Sequence, residues 1–433
     1  MGLLLDEEYY QNTPQTAPLM RGDYQNLPKS MSIKSFAPTP GHQGLTGTCT
    51  GWATAYGGRT ILSAINQNWE KDKIDQNVYS PYFIYNLVKG PTDTKCSNGA
   101  SMDMALDALK DIGCLSLNEF GNECKREIKE SEKVDAAENR IFKYRQLFYD
   151  KNEVDYKINN VKKSIAESLP VVIGMHWPFG KVTGDVIQPK PEDYTTKGST
   201  GHAVVIVSYD DDKYGGAFEI MNSWGKRWAN SGFVWMKYAD FNKFCYMAFE
   251  LFEIPRKDLE VPDLSGSIQL ITKEGAKMEL NNYGNFFETK ENYFEGTFFK
   301  VLLKNNEPAF IYAFGVDYSS EPTKLFPFNE RTLAYFPYST SNFALPDEDN
   351  YYMIDDSEEA SYFCFLYSKD ELDFDSLLKQ QGISENPVVQ IPKILQDKIV
   401  DKDKMKLTVD DSIQFESRDY ERSIIPIIIK IKK

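Results

Sequence analysis

The apolar residues between positions 49 and 65 recur at the spacing of one helix face and predict a helix there. Similar runs predict three further helices, at 80–88, 102–112 and 161–169. Pro81 suits the first turn of the second helix, and Gly113 is a natural stop for the third. The first part of the chain is therefore expected to be mainly helical.

Beyond Pro170 the apolar residues occur instead in short runs that are rich in Val, Ile and Phe. Such runs are typical of buried strands, and they lie at 171–174, 202–208, 218–221 and 233–236. Helices followed by an antiparallel set of strands predict an α+β domain that ends near Phe252.

Proline, glycine and polar residues divide the chain into four segments. An extended arm at 1–35 precedes the α+β domain at 36–254, a polar linker follows at 255–266, and a mostly-β domain occupies 267–433. We expect this last domain to be sandwich-like, with one helical piece at 374–381.

The chain has 433 residues and a formal net charge of -15. An acidic surface repels nucleic acid and anionic lipid, so we expect neither as a partner. No apolar run approaches the length of a membrane-spanning helix, and the N-terminus lacks the features of a signal peptide. We therefore expect no membrane insertion and a cytoplasmic protein, with export by a non-classical route as the alternative.

The six cysteines are too few for a disulfide scaffold. Cys96, Cys114 and Cys124 lie close enough in sequence for a bridge in an oxidising compartment, and the pairing is open. No two cysteines form a CxxC pair and the chain has only three histidines, which argues against a zinc site. We expect no metal and no cofactor.

Cys49 follows a loop rich in Gly and Thr and begins the first predicted helix. A helix N-terminus carries unpaired N–H groups and a partial positive charge, which lower the pKa of a thiol. Gln43, on the preceding loop, can direct its carboxamide N–H at an oxyanion beside the backbone N–H of Cys49. The pair indicates a nucleophile with an oxyanion hole, although a lone cysteine is more often an inert core thiol.

His202 begins a predicted strand and can act as the general base for the thiol. Asn222 follows the next strand, where its carboxamide can orient the imidazole, and Trp224 can shield that hydrogen bond from water. Taken singly, each residue has an ordinary interpretation, as a strand-end histidine or as a turn asparagine beside a core tryptophan.

These three segments together closely resemble the papain-like cysteine peptidases. Gln43 and Cys49 keep the family's six-residue offset, His202 precedes Ala-Val-Val, and an Asn-Ser-Trp-Gly box begins at Asn222. The resemblance implies a two-lobed domain over roughly 36–252, with a helical left lobe and an antiparallel β right lobe. Its spacing from nucleophile to base is slightly longer than the family's, which implies an insertion around 116–149.

The resemblance implies substrate-binding roles for Gly99, Gly201 and Trp224. Gly99 ends a Cys-Ser-Asn-Gly segment that looks like the family's Cys-Asn-Gly-Gly, whose glycine backbone pairs with extended substrate; an ordinary turn is the alternative. Gly201 stands where the family usually has Asp or Asn. Thr46 replaces the cysteine usually found three residues before the nucleophile, so Cys96 loses its usual partner. With these departures the sequence resembles divergent bacterial relatives of the family.

The last domain resembles, less specifically, a bacterial domain of unknown function that is often attached to peptidase-like modules. The segments that carry this resemblance are 296–301, 325–327, 362–367 and 423–429. We find no nucleophile–base pair among them, so we expect the domain to bind or position a protein partner.

The sequence thus predicts a cysteine endopeptidase, a hydrolase that cleaves protein or peptide substrates through a thiolate–imidazolium pair and an acyl-enzyme intermediate. Cys49 would attack, His202 would act as base and then acid, Asn222 would orient His202, and Gln43 would bind the oxyanion. Two alternatives stay open: a catalytically silent binding protein on the same scaffold, and a thiol-dependent acyl transferase.

Overall fold

The computed structural model of the protein describes residues 2–5, 11–148, 153–178, 180–194, 201–253, 261–317, 321–355 and 361–433. The chain divides into two compact units. The first unit comprises residues 1–16 and 26–254, and the second comprises 17–25 and 255–433. The arm at 1–35 therefore contributes to both units, and its part in the second unit contains helix α1 (Arg21–Gln25).

The α- and π-helices of the first unit mostly precede residue 171, as the hydrophobic spacing predicts, and the last of them, Tyr238–Phe244, is the exception among those described. They are α2 (Cys49–Gly51), a π-helix (Trp52–Arg59), α3 (Thr60–Asn66), α4 (Lys71–Gln76), α5 (Pro81–Val88), α6 (Met102–Asp111), α7 (Leu117–Phe120), α8 (Glu130–Ala136), α9 (Val154–Ala166) and α10 (Tyr238–Phe244).

The helix predicted over 49–65 is continuous, but its middle is π-helical. Gly57 and Gly58 lie in this wider turn, directly against the sheet. A Cβ at Gly57 would meet a methyl group of Val205 at 2.5 Å, and one at Gly58 would meet Val172 at 2.9 Å. The two glycines therefore let this helix approach the strands closely, which places Cys49 beside them.

Two of the other predicted helices have clear end signals. Ser80 caps α5 by accepting a hydrogen bond from the N–H of Phe83 at 3.2 Å. Gly113, just after α6, has a φ of +93°, a conformation that favours glycine. The fourth helix, α9, begins at Val154 instead of the expected 161. Its first two turns are mostly polar, so the hydrophobic pattern did not predict them.

The strands of the first unit lie in one twisted sheet. They are β1 (Leu3–Leu4), β2 (Ser30–Ser32), β3 (Ala100–Ser101), β4 (Lys143–Phe148), β5 (Val171–His176), β6 (Lys181–Thr183), β7 (Val186–Gln188), β8 (Gly201–Asp210), β9 (Ala217–Met221), β10 (Phe233–Lys237) and β11 (Cys245–Phe252). Its main order is β4-β11-β5-β8-β9-β10-β7-β6, and β1 and β2 both pair with β8. Strand β8 therefore joins the two strands of the N-terminal arm to the rest of the sheet.

Strand β11 ends at Phe252, where the α+β domain was expected to end. Strands β4 and β11 were not predicted. They pair with each other, and β11 also pairs with β5. The fold class, a helical lobe with an antiparallel β lobe, is confirmed.

The second unit consists of two sheets. Its strands are β12 (Leu264–Thr272), β13 (Leu280–Asn282), β14 (Phe287–Thr289), β15 (Phe298–Asn305), β16 (Ala309–Val316), β17 (Thr323–Phe326), β18 (Tyr335–Phe336), β19 (Ser341–Leu345), β20 (Tyr352–Met353), β21 (Ser361–Ser368), β22 (Met405–Val409), β23 (Ile413–Ser417) and β24 (Ile424–Ile431). One sheet has the order β19-β15-β12-β23-β22 with β20 beside β15, and the other has β13-β14-β24-β21-β16-β17 with β18 beside β16.

The two sheets pack through aromatic side chains. Phe299 of β15 contacts Phe363 of β21 with ring centroids 5.2 Å apart, and Phe343 of β19 stacks on Phe336 of β18 at 4.5 Å. The sandwich-like architecture is therefore confirmed. Strand β12 begins at Leu264, before the expected domain start at 267, and residues 255–260 of the predicted linker lie outside the described residues.

Besides α1, two further α-helices accompany the sheets in the described part of the second unit. Helix α11 (Phe374–Leu378) occupies part of the predicted helical piece at 374–381. Helix α12 (Pro387–Leu395) was not predicted, because Pro392 lies inside it and prolines interrupt helical patterns. Among the described residues of both units, no helix has the length and apolar character needed to span a bilayer.

Candidate active site

Cys49 is the first residue of α2 and lies at the head of β8. Its side chain is fully buried, with 0% of its surface exposed. The backbone N–H of Gly2 donates to Cys49 Sγ at 3.3 Å, and the backbone of Ala203 also hydrogen-bonds to the sulfur. Because Ala203 directly follows His202, the structure brings the predicted nucleophile to the segment that carries the predicted base.

His202 and Asn222 form the expected hydrogen bond. His202 Nε2 lies 2.9 Å from Asn222 Oδ1, and the same oxygen accepts the N–H of Ser223 at 2.7 Å. A carboxamide oxygen only accepts, so Nε2 carries the proton and Nδ1 of the neutral ring is an acceptor. Among the described residues, His202 Nδ1 is buried and has no hydrogen-bond partner. The ring is therefore oriented with a vacant proton-accepting nitrogen.

Two tryptophans enclose the imidazole. Trp224 stacks on His202 with centroids 5.2 Å apart and an angle of 18° between the rings, which fits its expected shielding position. Trp177 meets the same ring edge-on at 5.3 Å. Trp177 was not among the predicted site residues. The sequence signal that could have found Trp177 is its position shortly after the predicted strand at 171–174. In the structure this strand is β5, and its Met175 pairs with His202.

The other two histidines make different side-chain contacts, although the backbone of His42 forms a β-bridge with Trp224. His42 Nδ1 accepts the N–H of Gly44 at 2.9 Å within the loop before Cys49. His176 ends β5 and contacts the ring of Tyr246 at 4.8 Å. His202 is therefore the histidine whose geometry fits the role of the base.

Gln43 connects the nucleophile loop to the Asn222 segment. Its Oε1 accepts the hydroxyl of Ser223 at 2.5 Å, and its Nε2 donates to the carbonyl of Thr46 at 2.8 Å. A carboxamide nitrogen carries two hydrogens, so this bond leaves one for another acceptor. The arrangement is compatible with the predicted oxyanion role.

Burial controls the charge of the site in this structure. Desolvation raises the pKa of Cys49, outweighing the backbone N–H groups of Ala203 and Gly2, which lower it. Desolvation also lowers the pKa of His202 to about 4, although the hydrogen bond that His202 donates to Asn222 raises it. The pKa of the Cys49 thiol is therefore shifted in the direction opposite to the one expected for a helix N-terminus, and burial favours the neutral form of both groups.

The predicted substrate-binding glycines lie on both sides of the chain segment 2–4. Ala100, next to Gly99, donates its N–H to the carbonyl of Gly2 at 2.9 Å, and Leu3 pairs with both Ala100 and Gly201. Gly99 is held by the hydroxyl of Tyr85, which accepts its N–H at 3.0 Å. An extended chain therefore fits between the two glycines.

A disulfide joins Cys96 to Cys124, with Cα atoms 5.7 Å apart, and Cys114 is free and buried. This settles the pairing that the sequence left open. Thr46, at the position of the missing family cysteine, instead donates its hydroxyl to the carbonyl of Gln43 at 2.7 Å. Among the described residues, no cluster of His, Cys, Asp and Glu side chains could hold a metal ion.

A helical lobe and an antiparallel β lobe, with a thiol, an imidazole and a carboxamide brought to the head of one strand, define a papain-like domain. In agreement, residues 62–252 match the model of the papain family cysteine protease. This part of the chain is therefore similar to the papain family cysteine proteases. The match includes His202 and Asn222, whereas Gln43 and Cys49 precede it.

Comparisons with known proteins identify similar chains. An uncharacterized peptidase C1-like protein of Acanthamoeba polyphaga mimivirus is 24% identical over 211 residues, which cover 45% of this chain and 63% of that protein. The match thus spans less than two thirds of the relative's length. Xylellain, a cysteine protease from Xylella fastidiosa, is 20% identical with a TM-score of 0.47, over 59% of this chain and 95% of that one. Digestive procathepsin L 3 of Tenebrio molitor is 17% identical with a TM-score of 0.42, over 56% of this chain and 74% of that one.

Proposed function

We propose that the protein is a cysteine endopeptidase whose nucleophile is Cys49 and whose base is His202. The observation that carries this proposal is the 2.9 Å hydrogen bond from His202 to Asn222, which leaves Nδ1 vacant at the strand head that also contacts Cys49 Sγ. An imidazole oriented in this way beside a thiol is the arrangement that nucleophilic catalysis by cysteine requires.

In the proposed reaction His202 alternately accepts and donates a proton. His202 takes the thiol proton, and Cys49 Sγ attacks the scissile carbonyl carbon. The backbone N–H of Cys49 and the remaining Nε2–H of Gln43 stabilise the oxyanion. His202 then gives the proton to the leaving amine, which departs and leaves a thioester. Water, deprotonated by His202, hydrolyses that thioester to release the acid and restore the thiol.

The proposed substrates are proteins or peptides in an extended conformation. The support is the backbone of Ala100 on one side and of Gly201 on the other, since both pair with an extended segment in the structure. We further propose that the second unit binds or positions a protein partner, and that it and the divergent protease domain are of bacterial type.

Of the two locations considered, we propose the exported one. The support is the Cys96–Cys124 bridge, because disulfides persist in oxidising compartments and are rare in the cytosol. Trapping the thiols in intact producing cells tests this. A bridge that is reduced in every compartment would favour the cytoplasmic location.

The activity is tested by labelling with an epoxysuccinyl inhibitor and by cleavage of an unfolded protein substrate, with product masses determined. We expect Cys49→Ala to abolish both, and Cys114→Ala to keep both because Cys114 is a buried thiol of the same unit outside the site. Cleavage that persists in Cys49→Ala would overturn the proposal. Products extended by an added amine would instead indicate acyl transfer.

A catalytically silent peptide-binding protein is the second candidate. It is favoured by one observation: both reacting groups are buried, which favours their neutral forms, and His202 Nδ1 makes no hydrogen bond to Cys49 among the described residues. Under this alternative, peptides would bind with equal affinity to the wild type and to Cys49→Ala, and neither protein would cleave them.

A further inference from the structure

Lys226 and Arg227 form an exposed basic pair that follows Trp224 closely in sequence. They are the two central residues of a β-turn in which Trp228 donates its N–H to the carbonyl of Gly225 at 3.1 Å. We propose that this basic pair binds an acidic side chain, Asp or Glu, in the leaving half of the substrate, which is the part after the scissile bond. This inference rests on the proposed function, whose substrates it defines more closely.

The turn that carries the basic pair is fixed at both ends. At its start, the N–H of Gly225 donates to the carbonyl of Gly41 at 2.8 Å, and at its end the carbonyl of Trp228 accepts the N–H of Gly232 at 2.7 Å. Gly232 has a φ of +89°, and a Cβ there would lie 2.4 Å from a side-chain carbon of Pro40. The basic pair therefore has a defined place on the surface of the first unit.

Tryptophan rings connect the turn to the imidazole of the proposed base. Trp224 directly precedes the turn and stacks on His202 at 5.2 Å. Trp228 ends the turn, and its ring lies 5.0 Å from that of Trp224 and 5.9 Å from that of Trp177. The basic pair therefore lies at the border of the aromatic cluster that covers His202.

The proposed reaction defines which half of the substrate passes this cluster. His202 gives its proton to the leaving amine, so the leaving half begins beside the imidazole. The other half is proposed to pair with the backbone of Ala100 and Gly201. An extended chain advances about 3.3 Å per residue, so the first three residues of the leaving half span about 10 Å. That length brings a side chain of the leaving half across Trp224 to the basic pair.

Within the described part of the chain, no carboxylate neutralises the basic pair. Neither cation forms an ion pair there, whereas Lys34, for example, pairs with Glu219 at 2.5 Å. An acidic side chain of the substrate can therefore bind Lys226 or Arg227 without displacing an internal partner. Such a contact between a cation and a carboxylate is charge-assisted and favours one substrate charge over the other.

The sequence segments that build this region contain no acidic residue. Four segments supply the reacting groups and the tryptophans of the site, and none of them has an Asp or a Glu: 24–69, 168–184, 194–209 and 220–239. Each contains at least one Lys or Arg, although the whole chain has 64 acidic residues and a net charge of -15. The surface beside the base therefore attracts a carboxylate that most of the protein would repel.

The first test measures how the full chain cleaves a series of peptide amides. The peptides carry Asp, Asn or Lys at the first, second or third position after the scissile bond and are otherwise identical. At the preferred position we expect kcat/KM for Asp to exceed that for the isosteric Asn by about fivefold, because an exposed ion pair contributes a factor of up to about five. Salt at about 1 M should remove this preference, since it screens exposed charges.

Two double variants connect the preference to the basic pair. Lys226→Gln with Arg227→Gln should abolish the preference for Asp over Asn, and Lys226→Glu with Arg227→Glu should make the Lys peptide the preferred one. Lys73→Gln with Lys125→Gln is the matched control, because both are exposed lysines of the same unit, and it should keep the wild-type preference. Equal cleavage of the Asp and Asn peptides by the wild type, or a preference that both basic-pair variants retain, would overturn the inference.

A binding measurement tests the basic pair without turnover. Cys49→Ala is labelled with fluorinated tryptophan, and the Trp228 signal, assigned with Trp228→Phe, is followed by fluorine NMR. An Asp-Asp-Asp peptide amide should shift this signal at concentrations about fivefold lower than an Asn-Asn-Asn peptide amide does. The difference should disappear when Lys226→Gln and Arg227→Gln are added. Equal effects of the two peptides would overturn the inference.

The two proposals fail in different ways. Equal cleavage of the Asp and Asn peptides leaves the peptidase function standing and overturns the acidic preference. If no peptide is cleaved but the Trp228 signal responds to the Asp peptide through the basic pair, the pair is supported as a binding site for acidic peptides and the peptidase function fails. If neither cleavage nor a charge-dependent shift occurs, both proposals are overturned.

Discussion

Asn222 determines which nitrogen of His202 is available for chemistry. Its Oδ1 accepts from both His202 Nε2 and the Ser223 N–H, so the oxygen is fixed from two directions. The stacked ring of Trp224 covers the imidazole beside this bond. The proton on Nε2 is thereby fixed in place, and the basicity of Nδ1 depends on what lies around it.

Replacing this carboxamide by a carboxylate should change the basicity of His202. In Asn222→Asp a negative charge would lie about 3 Å from Nε2, and we expect the pKa of His202 to rise from about 4 by roughly one unit or more. NMR titration of the His202 ring protons measures this, and Asn222→Ser, which adds no charge, is the control. An unchanged pKa in Asn222→Asp would mean that the carboxamide does not face Nε2.

The buried neutral His202 should also make the first unit sensitive to acid. Its pKa is about 4 in the folded state and 6.5 in the unfolded state, so the unfolded state binds the extra proton as the pH falls between these values. We expect this residue to lower the free energy of unfolding by about 2 kcal/mol between pH 7 and pH 5, with no contribution above pH 7.

Denaturant unfolding followed by tryptophan fluorescence measures this loss, because all six tryptophans lie in the first unit. His202→Gln is the control, since it keeps every other titrating group. An identical pH dependence in the wild type and in His202→Gln would contradict the assignment.

The residues of the candidate site could be selected from short motifs, but the direction of their pKa shifts could not. Each of the four residues belongs to a short sequence motif: Gln43, Cys49, His202 and Asn222. Cys49 is fully buried, and one of the groups that contact its sulfur is the N–H of Gly2, a residue whose neighbours in sequence give no sign of this contact. Desolvation depends on which distant segments meet, and a single sequence does not contain that information.

At the scale of elements, prediction succeeded for helices with one strongly apolar face and for strands formed by a strongly apolar run of residues. Helix α6 and strands β8 and β9 are of this kind. Strand β4 was missed because charged Lys143 and Arg145 interrupt its pattern. Arg145 is buried and paired with Glu250 of β11 at 2.5 Å. A charged residue in the sequence predicts an exposed position, whereas Arg145 lies in the interior. Ion pairs of this kind conceal strands from hydrophobic patterning.

The Cys96–Cys124 bridge should stabilise the first unit. It closes a loop of 28 residues, and restricting the unfolded chain by a loop of that length contributes about 3 kcal/mol. We expect Cys124→Ala to lower the free energy of unfolding by about that amount, measured by tryptophan fluorescence in denaturant.

A thiol reductant supplies the matched control for this effect. It should destabilise the wild type to the level of Cys124→Ala and should leave Cys124→Ala itself unchanged. A wild type that is indifferent to the reductant, with the bridge shown by mass to be reduced, would refute a stabilising role.

At the scale of the whole molecule, the arm divides its residues between the two units. Within the second unit, Asp23 accepts both the backbone N–H and the side-chain N–H of Asn342, at 2.7 and 2.5 Å, and the N–H of Met20 donates to the carbonyl of Asn342 at 2.8 Å. Arg21 donates its N–H to Glu348 at 2.8 Å and pairs with Asp349. Residues 17–25 are thus an integral part of a unit whose other residues begin at 255.

Cutting the chain between the units should therefore not separate the halves. With a specific protease site placed within 255–260, we expect the two fragments to elute together in size-exclusion chromatography, because the N-terminal fragment still carries residues 17–25. Asp23→Ala combined with Arg21→Ala should weaken the association, whereas Lys29→Ala, outside this segment, should not. Separation of the wild-type fragments would show that the arm does not hold the second unit.

The division of the arm also imposes an order of events on the ribosome. Leu3 can reach its partners Ala100 and Gly201 once the first unit has been synthesised. Asp23 must wait for Asn342, which emerges roughly 320 residues later, and at about 5–20 residues per second that delay is tens of seconds. During this interval residues 17–25 are an undocked stretch that chaperones and cellular proteases can reach, so a segment made near the beginning of synthesis finds its partners only near the end.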